Sequence, residues 1–178
     1  FERDVRYILK KAVNKAKEMG ISVNFGSEFE FYLFKQDENG ENTYVPLDRA
    51  VYMDISPLDK GENVRREICL TLSEMGIDPE VSHHEMGPGQ NEIDFRYSSA
   101  LQAADNAATF KWVVEALANM QGLVADFSPK PLEDQPGNGM HINMSVDQHE
   151  ELLMPFMAGI LNHIEEMTAF LNPTKHSY

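Results

Sequence analysis

The sequence contains little cysteine, little positive charge and no long apolar run. Its one cysteine, Cys69, excludes an intrachain disulfide framework and is typical of a reducing compartment. Lys and Arg total 15 against 29 Asp and Glu, and the formal net charge of -14 disfavours binding to nucleic acid or to anionic membranes. Neither a signal peptide nor an apolar run of transmembrane length occurs, so we expect a soluble, cytoplasmic protein.

Several motifs of phosphate and nucleophile chemistry are also missing. The sequence has no Walker-type phosphate loop, no G-x-S-x-G elbow and no H-E-x-x-H metal motif. A phosphate-bearing substrate would meet an acidic protein, so metal cations would be needed to bring the two together. The hydrophobic content of 42% nevertheless predicts a folded chain rather than a disordered one.

The hydrophobic pattern changes between helical and strand periods along the chain. Amphipathic strands with helices available to cover their apolar faces predict an α+β fold. Between them, residues 36–60 are polar and proline-containing, which predicts turns and irregular structure. The predicted helices are residues 5–19, 62–75, 99–121 and 151–171, and the predicted strands are residues 25–34, two segments within 79–97, and residues 140–146.

Two glutamates occur on the first predicted strand. Glu28 and Glu30 lie two residues apart, so both side chains project from one face, roughly 6.5–7 Å apart at the backbone. Alone, the pair fits a solvated strand face equally well, but the neighbouring Phe29 and Phe31 indicate a strand of the interior. Two carboxylates there repel each other and lose hydration, which is costly unless cations bind them.

Three further side chains could join this pair. Glu85 and Glu92 flank the turn Gly87-Pro88-Gly89, and a hairpin would bring their carboxylates together, although an exposed acidic hairpin is the alternative. His141 lies on the polar face of its strand, where a lone histidine is more often structural than a ligand. Together, four glutamates and one histidine suit Mg²⁺ or Mn²⁺. Two such cations would serve phosphoryl transfer and would draw an anionic nucleotide to an acidic site.

The order of several motifs is more specific than any one of them. Over nearly its whole length, the chain resembles the catalytic domain of glutamine synthetase of the prokaryotic type. The resemblance rests on Gly26-Ser27-Glu28-Phe29-Glu30-Phe31, His83-His84-Glu85, Gly89-Gln90-Asn91-Glu92-Ile93-Asp94-Phe95-Arg96-Tyr97, Ala104-Asp105-Asn106, Pro129-Lys130-Pro131, Gly139-Met140-His141 with Ser145, and Asn172-Pro173-Thr174.

The resemblance implies a fold and a set of site residues. The fold would be that of the glutamine synthetase (guanido kinase-like) catalytic domain, a curved antiparallel sheet with helices on one face. One divalent cation, Mg²⁺ or Mn²⁺, would be held by Glu30, Glu85 and Glu92, and a second by Glu28 and His141. By the same resemblance, the nucleotide site is lined by Glu80, Tyr97, Asn143 and Ser145, and the glutamate-binding loop contains Gly137, Asn138 and Gly139.

The resemblance also implies a reaction. ATP phosphorylates the γ-carboxylate of glutamate, and ammonia attacks the acyl phosphate to give glutamine, a step of nitrogen metabolism. The partners would be these small molecules and further copies of the chain in a homo-oligomeric ring, and neither nucleic acid nor a membrane.

Residue 1 is Phe and opens a helical pattern, so we expect a piece of a longer protein. Residues 1–178 would form a partial catalytic domain, without the family's N-terminal β-grasp domain and C-terminal remainder. That remainder supplies a further metal-binding Glu and the arginines that bind phosphate, so we expect the isolated piece to be inactive.

Two alternatives stay open. The segment Pro136-Gly137-Asn138-Gly139 replaces the family's usual Asn-Gly-Ser-Gly loop, and Asn143 stands where the family often has a second histidine. The altered loop leaves open a ligase that joins glutamate to another amine, such as a polyamine. A catalytically silent, metal-stabilised assembly protein belongs to a different class, and the clustered glutamates argue against it because they give no structural advantage without metal.

Overall fold

A computed structural model describes residues 1–147 and 149–177. Its helices are α1 (Val5–Glu18), α2 (Glu62–Glu74), α3 (Ala100–Met120), α4 (Leu153–Asn162) and α5 (Ile164–Leu171), with 3₁₀ turns at Glu150–Leu152 and Lys175–Ser177. Its strands are β1 (Val23–Gln36), β2 (Asn42–Pro46), β3 (Pro79–His84), β4 (Gln90–Ser99), β5 (Leu123–Asp126) and β6 (Met140–Val146). Within those two ranges, no helix has the length and apolarity that a membrane span requires.

One six-stranded sheet is organised around its longest strand, β1. β1 pairs antiparallel with β2, β4, β5 and β6, while β3 extends the sheet by pairing with β4. The β3–β4 hairpin turns at Gly89, whose φ of 69° lies in the left-handed region that favours glycine. Because β4 and β6 both pair with β1, the polar side chains of all three strands can meet on one face of the sheet.

The opposite face of the sheet is buried against helices. Phe29 and Phe31 of β1 and Ile93 of β4 are at most 1% exposed. They pack with Ile68 of α2 and with Phe110 of α3, whose ring centroid lies 4.9 Å from that of Phe29. Each such side chain stabilises the fold by about 1.5–3 kcal/mol through burial. The predicted α+β fold, with an antiparallel sheet and helices on one face, is confirmed.

Two short strands were missed by the sequence pattern. The prediction of irregular structure over residues 36–60 is wrong for β2, where Tyr44 has a φ of 55° and the alternation is therefore broken. β5 follows Gly122 and has only four residues, Leu123–Asp126, too few to show a period of two. Both strands pair with the second half of β1, which supplies the partner that their own sequences do not reveal.

The prediction of one helix over residues 151–171 is also wrong. The segment begins as a 3₁₀ turn and divides at His163 into α4 and α5. The N–H of His163 donates to the carbonyl of Ile160 at 3.1 Å, an i−3 bond that interrupts the helical i−4 ladder. The apolar period continues across the break, so the hydrophobic pattern alone gives no sign of it.

The core is formed by the first two thirds of the chain. None of the described residues after Leu123 is buried. Cys69 lies in α2, half-buried against this core, and burial raises the pKa of its thiol. A thiol with a raised pKa is a poor nucleophile at neutral pH, in agreement with the packing role that its helical position predicts.

Candidate metal centre and nucleotide cavity

The sheet register brings the polar faces of β1, β4 and β6 together. Glu28 is the cross-strand partner of Asp94 on β4 and of His141 on β6, and Glu30 is the partner of Glu92. Cross-strand partners have Cβ atoms about 4.5–5.5 Å apart, so their side chains interact directly. The strand that carries Glu28 and Glu30 thus lies between two strands that carry further candidate metal ligands.

A first candidate metal group joins all three strands. Glu28, Glu92 and His141 each offer one ligand atom, and these atoms lie within 4.8 Å of one another. Nδ1 of His141 is 3.2 Å from Oε2 of Glu28, while Asn143 donates from Nδ2 to Oε1 of the same carboxylate at 2.6 Å. The predicted pairing of Glu28 with His141 is therefore present as a contact, and Glu92 is close enough to share a cation with them.

A second candidate metal group occupies the β3–β4 hairpin. His83, Glu85 and Glu92 also place one ligand atom each within 4.8 Å of one another. Nε2 of His83 is 3.3 Å from Oε2 of Glu92, its cross-strand partner. Sequence reasoning placed Glu85 and Glu92 together but overlooked His83, although its position two residues before Glu85 is the period that puts strand side chains on one face.

Glu30 lies beside these groups without joining either of them in the described part of the chain. Its Oε2 accepts hydrogen bonds from Nε2 of Gln90 at 2.9 Å and from the N–H of Gly139 at 3.0 Å. The backbone N–H of Glu30 donates in turn to the carbonyl of Gly139 at 3.1 Å. Glu30 thus links the carboxylates of the two candidate metal groups, called the carboxylate cluster below, to the glycine loop of residues 137–139. Its grouping with Glu85 and Glu92 around one cation stays a prediction.

The carboxylates repel one another strongly. Burial, the hydrogen bond with Glu85 and the charge of Asp94 raise the pKa of Glu92 to about 8. Burial and the nearby charge of Glu28 raise the pKa of Asp94 to about 6. Within the described ranges, Oδ1 of Asp94 is buried without a hydrogen-bond partner. Oxygen-rich donors that crowd together at such a cost fit hard divalent cations, which would neutralise the repulsion.

Asp94 is a second residue that sequence reasoning did not assign to the site. It follows Glu92 by two residues, so the same period of two that paired Glu28 with Glu30 could have indicated it. In the sequence it stands only as one residue of the motif Gly89–Tyr97.

The four residues expected at the nucleotide site line one cavity. This cavity has a volume of about 530 Å³ and adjoins the first candidate metal group through Glu28. Its wall includes the predicted nucleotide residues Glu80, Tyr97, Asn143 and Ser145, together with Asp94 and the backbone of Gly26. A Cβ at residue 26 would lie 3.5 Å from that of Tyr97, an ordinary contact distance, so the tyrosine packs directly beside this glycine.

The glycine loop of residues 137–139 is held rigidly against the sheet. Asn138 donates from Nδ2 to the carbonyls of Asp126 and Ser128, both at 2.9 Å, and its Oδ1 accepts from Gln90 at 3.2 Å. A Cβ at Gly137 would approach the carbonyl oxygen of Pro129 to 2.5 Å, so this position requires glycine. The side chain of Asn138 is therefore engaged with the protein, as is its backbone N–H, which donates to the carbonyl of Pro129 at 2.9 Å.

A third acidic group lies behind the hairpin and is fully buried. His84 donates from one ring nitrogen to the carbonyl of Glu85 at 2.6 Å and contacts Oδ1 of Asp48 with the other at 3.0 Å. Although burial opposes charge on both groups, their contact raises the pKa of His84 and lowers that of Asp48. Asp59 pairs with the buried Arg65 at 2.6 Å. Since every member has a protein partner, this network supports the hairpin that carries Glu85.

Comparison with known protein families connects this geometry to a family. The family model of the glutamine synthetase catalytic domain matches residues 2–178. The chain belongs to this family. Among curated relatives, the glutamine synthetases of Clostridium saccharobutylicum and Methanosarcina mazei are 47% and 44% identical to it over 100% of the chain. The chain spans 43% of the length of each of these two relatives.

Solved structures of the family share the fold. A cryoEM structure of Plasmodium falciparum glutamine synthetase superposes with a TM-score of 0.88 at 26% identity. The superposition covers 100% of this chain and 43% of that protein's chain. GmaS in complex with ADP superposes with a TM-score of 0.86 at 31% identity, over 97% of this chain and 44% of that protein. The resemblance drawn from the sequence motifs is confirmed at the level of family and fold.

Proposed function

We propose that this chain forms part of a cytoplasmic, homo-oligomeric, ATP-dependent glutamate–ammonia ligase, which makes glutamine through a γ-glutamyl phosphate. The observation that carries the proposal is the convergence of Glu28, Glu92 and His141 beside a cavity lined by the expected nucleotide residues. Membership of the glutamine synthetase family supports the same reaction class.

The carboxylate cluster would hold Mg²⁺ or Mn²⁺. When bound, such cations would neutralise phosphate oxygens and so allow an anionic nucleotide to approach a chain of net charge -14. The protein side chains fix the ligand atoms before any cation arrives. Asn143 orients Glu28 through a 2.6 Å hydrogen bond, and the N–H of Met86 orients Glu85 at 2.9 Å.

The cavity next to Glu28 would bind the nucleotide. Tyr97, which is 60% exposed, offers an aromatic surface, and Asn143 and Ser145 offer polar groups on the facing strand β6. The fold relative GmaS was solved with ADP, which supports a nucleotide in this family of sheets. The amino-acid substrate would lie at residues 137–139, next to Glu30 and Gln90.

The experiment measures glutamine formation by the whole protein with ATP, glutamate, ammonia and Mg²⁺ or Mn²⁺. Glu28→Gln removes one charge from the cluster and should lower kcat/KM by about 100-fold or more, because preorganised charge at the phosphoryl group is lost. Glu115→Gln on the exposed surface of α3 is the matched control and should leave kcat/KM unchanged. Equal activities of the two variants would contradict the proposed site.

A second acceptor is favoured by a specific observation. Pro136 carries no side-chain amide, and the amide of Asn138 is turned toward Asp126 and Ser128 instead of the loop's open side. Because this loop differs from the family's usual Asn-Gly-Ser-Gly sequence, a different amine acceptor, such as a polyamine, is the second candidate. Comparison of kcat/KM for ammonia and for polyamines in the whole protein separates the two ligases.

We expect the 178-residue chain by itself to be inactive, because it spans under half of its relatives. The assay is γ-glutamyl transfer with Mn²⁺, run on this chain and on the whole protein, and comparable rates would refute the expectation. A catalytically silent, metal-stabilised protein would bind Mn²⁺ without turnover in either form. Calorimetric titration of Mn²⁺ into wild type and Glu92→Ala tests the metal site itself, and equal heats would exclude it.

A further inference from the structure

Gln90 is a fully buried side chain at the junction of three chain segments. Its Nε2 donates to Oε2 of Glu30 at 2.9 Å, to the carbonyl of Gly137 at 3.0 Å and to Oδ1 of Asn138 at 3.2 Å. Its Oε1 accepts the N–H of Gly87 at 2.9 Å. Gln90 is 0% exposed, so it contacts neither substrate nor solvent directly. One carboxamide therefore ties the hairpin turn, the carboxylates of β1 and the glycine loop together.

The bonds to Glu30 select one oxygen of its carboxylate. Both Gln90 and the N–H of Gly139 donate to Oε2. Oε1 accepts neither of these bonds and is therefore the oxygen of Glu30 that is available to a cation. A cation bound to Oε1 would hold Glu30 in the orientation that keeps both donors on Oε2, and an ordered glycine loop holds Glu30 in that same orientation. The loop and the carboxylate cluster are thus mechanically linked through shared hydrogen bonds.

We propose that Gln90 is a positioning residue that couples the glycine loop to the carboxylate cluster, so that an amino-acid substrate at the loop and a divalent cation at the carboxylates strengthen each other's binding. The inference rests on the proposed function for the identity of the two ligands. Coupling between binding sites is reciprocal, so the same factor must appear whichever ligand is added first. Gln90 acts on both ligands through Glu30 and through the backbone of residues 137–139.

Gln90→Met tests the coupling, because methionine keeps the length of the side chain but donates no hydrogen bond. Gln36→Met is the matched control, since Gln36 also donates from Nε2 to a backbone carbonyl, that of Leu123 at 3.1 Å. Gln36 lies on the same strand as Glu30 and about 20 Å further along it. Mn²⁺ affinity of the whole protein is measured calorimetrically with and without saturating glutamate.

In wild type and in Gln36→Met, glutamate should tighten Mn²⁺ binding by about fivefold or more. In Gln90→Met, this factor should fall below about twofold, and Mn²⁺ affinity without glutamate should weaken about tenfold, as for other residues that orient metal ligands. Amide hydrogen exchange at Gly139 should accelerate in Gln90→Met alone. The KM for glutamate should rise, while the KM for ATP stays within about twofold of wild type.

Gln90→Asn covers the case in which Gln90→Met does not fold. Asparagine keeps a carboxamide, but its side chain is one methylene shorter and cannot reach Glu30 and the N–H of Gly87 together, so the coupling should again be lost. Undiminished coupling in a folded Gln90 variant would overturn the inference. An equal rise in KM for glutamate and ATP would also overturn it, because a general structural defect would then explain the loss. If the wild type couples the two ligands but forms no glutamine, the proposed reaction fails and the role of Gln90 stands.

Discussion

Replacement of Glu92 by glutamine should stabilise the metal-free protein while weakening its binding of Mn²⁺. Glu92 is 8% exposed and belongs to both candidate metal groups. Its carboxylate faces Glu85, Asp94 and Glu30. Without a cation, a negative charge there is unfavourable, and glutamine removes this charge with little change of shape. The residue is thus expected to serve ligand binding at the expense of stability.

The magnitude follows from the raised pKa of Glu92. Its carboxyl has an ordinary pKa of 4.5 and titrates at about 8 in the fold. Between these pH values the carboxyl of Glu92 keeps its proton in the folded chain and releases it in the unfolded chain. The contribution of Glu92 to stability is therefore highest below pH 4.5 and falls as the pH rises toward 8. Relative to low pH, the contribution of Glu92 to the free energy of unfolding at pH 7 is lower by about 3 kcal/mol, at about 1.4 kcal/mol per pH unit. Because glutamine makes weaker hydrogen bonds than a protonated carboxyl, we expect a gain of about 1–3 kcal/mol.

Urea unfolding in the presence of a chelator measures this gain at pH 7 and at pH 5. Glu92→Gln should unfold at higher urea than wild type at pH 7, with a difference under about 1 kcal/mol at pH 5. Mn²⁺ at about 1,000 times its Kd should reverse the order, since it stabilises wild type by about 4.1 kcal/mol. Glu115→Gln is the control for the change in charge. A variant less stable than wild type at pH 7 without metal, or one that binds Mn²⁺ as tightly, would refute the reasoning.

Three further predictions concern the support of the site. The buried contact of His84 with Asp48 should confine maximal stability to a pH window. The contribution of Asp48 is lost as the pH falls through its lowered pKa, and that of His84 is lost as the pH rises through its raised pKa. Thermal unfolding between about pH 3 and 9 would show this window, and a flat profile would contradict it. Arg65→Met should destabilise the fold by about 3–5 kcal/mol in urea unfolding, because a buried carboxylate is left unpaired, and a change under 1 kcal/mol would refute its burial as an ion pair. Gly137→Ala should raise the KM for glutamate more than that for ATP, because its Cβ would press on the carbonyl of Pro129, and equal effects in steady-state assays would argue against the loop's role.

The sequence alone predicted most of the sheet and its polar face. Period-two alternation placed Glu28 and Glu30 on one face of β1, and the glycine-containing turn joined β3 to β4, because both signals are local. β2 and β5 could not be predicted in this way, since each is short and depends on pairing with β1. The break at His163 was missed because the apolar period runs through it without change.

The residue types of the site were visible in the sequence, whereas their partnerships were decided by the tertiary structure. Local alternation identified Glu28, Glu92 and His141 as polar residues on strands, and their chemistry suggested divalent cations. Only the register of β4 and β6 against β1 determines that Glu92 stands within reach of Glu28 and His141. Alternation determines which face each side chain takes, but it does not determine which residues of distant strands such as β1 and β6 become partners.

The surplus of acid shows the same division. The net charge of -14 follows from the composition alone. Coulomb repulsion then disfavours anionic partners unless cations lie between them and the protein. Which acidic residues have a shifted pKa depends on how deeply each is buried and on the charged groups next to it. Folding raises the pKa of Glu92 and Asp94 by removing water and by bringing like charges together, and it lowers that of Asp48 by placing His84 against it. These pKa shifts exist only in the folded chain, because desolvation and contact between distant residues are properties of the tertiary structure.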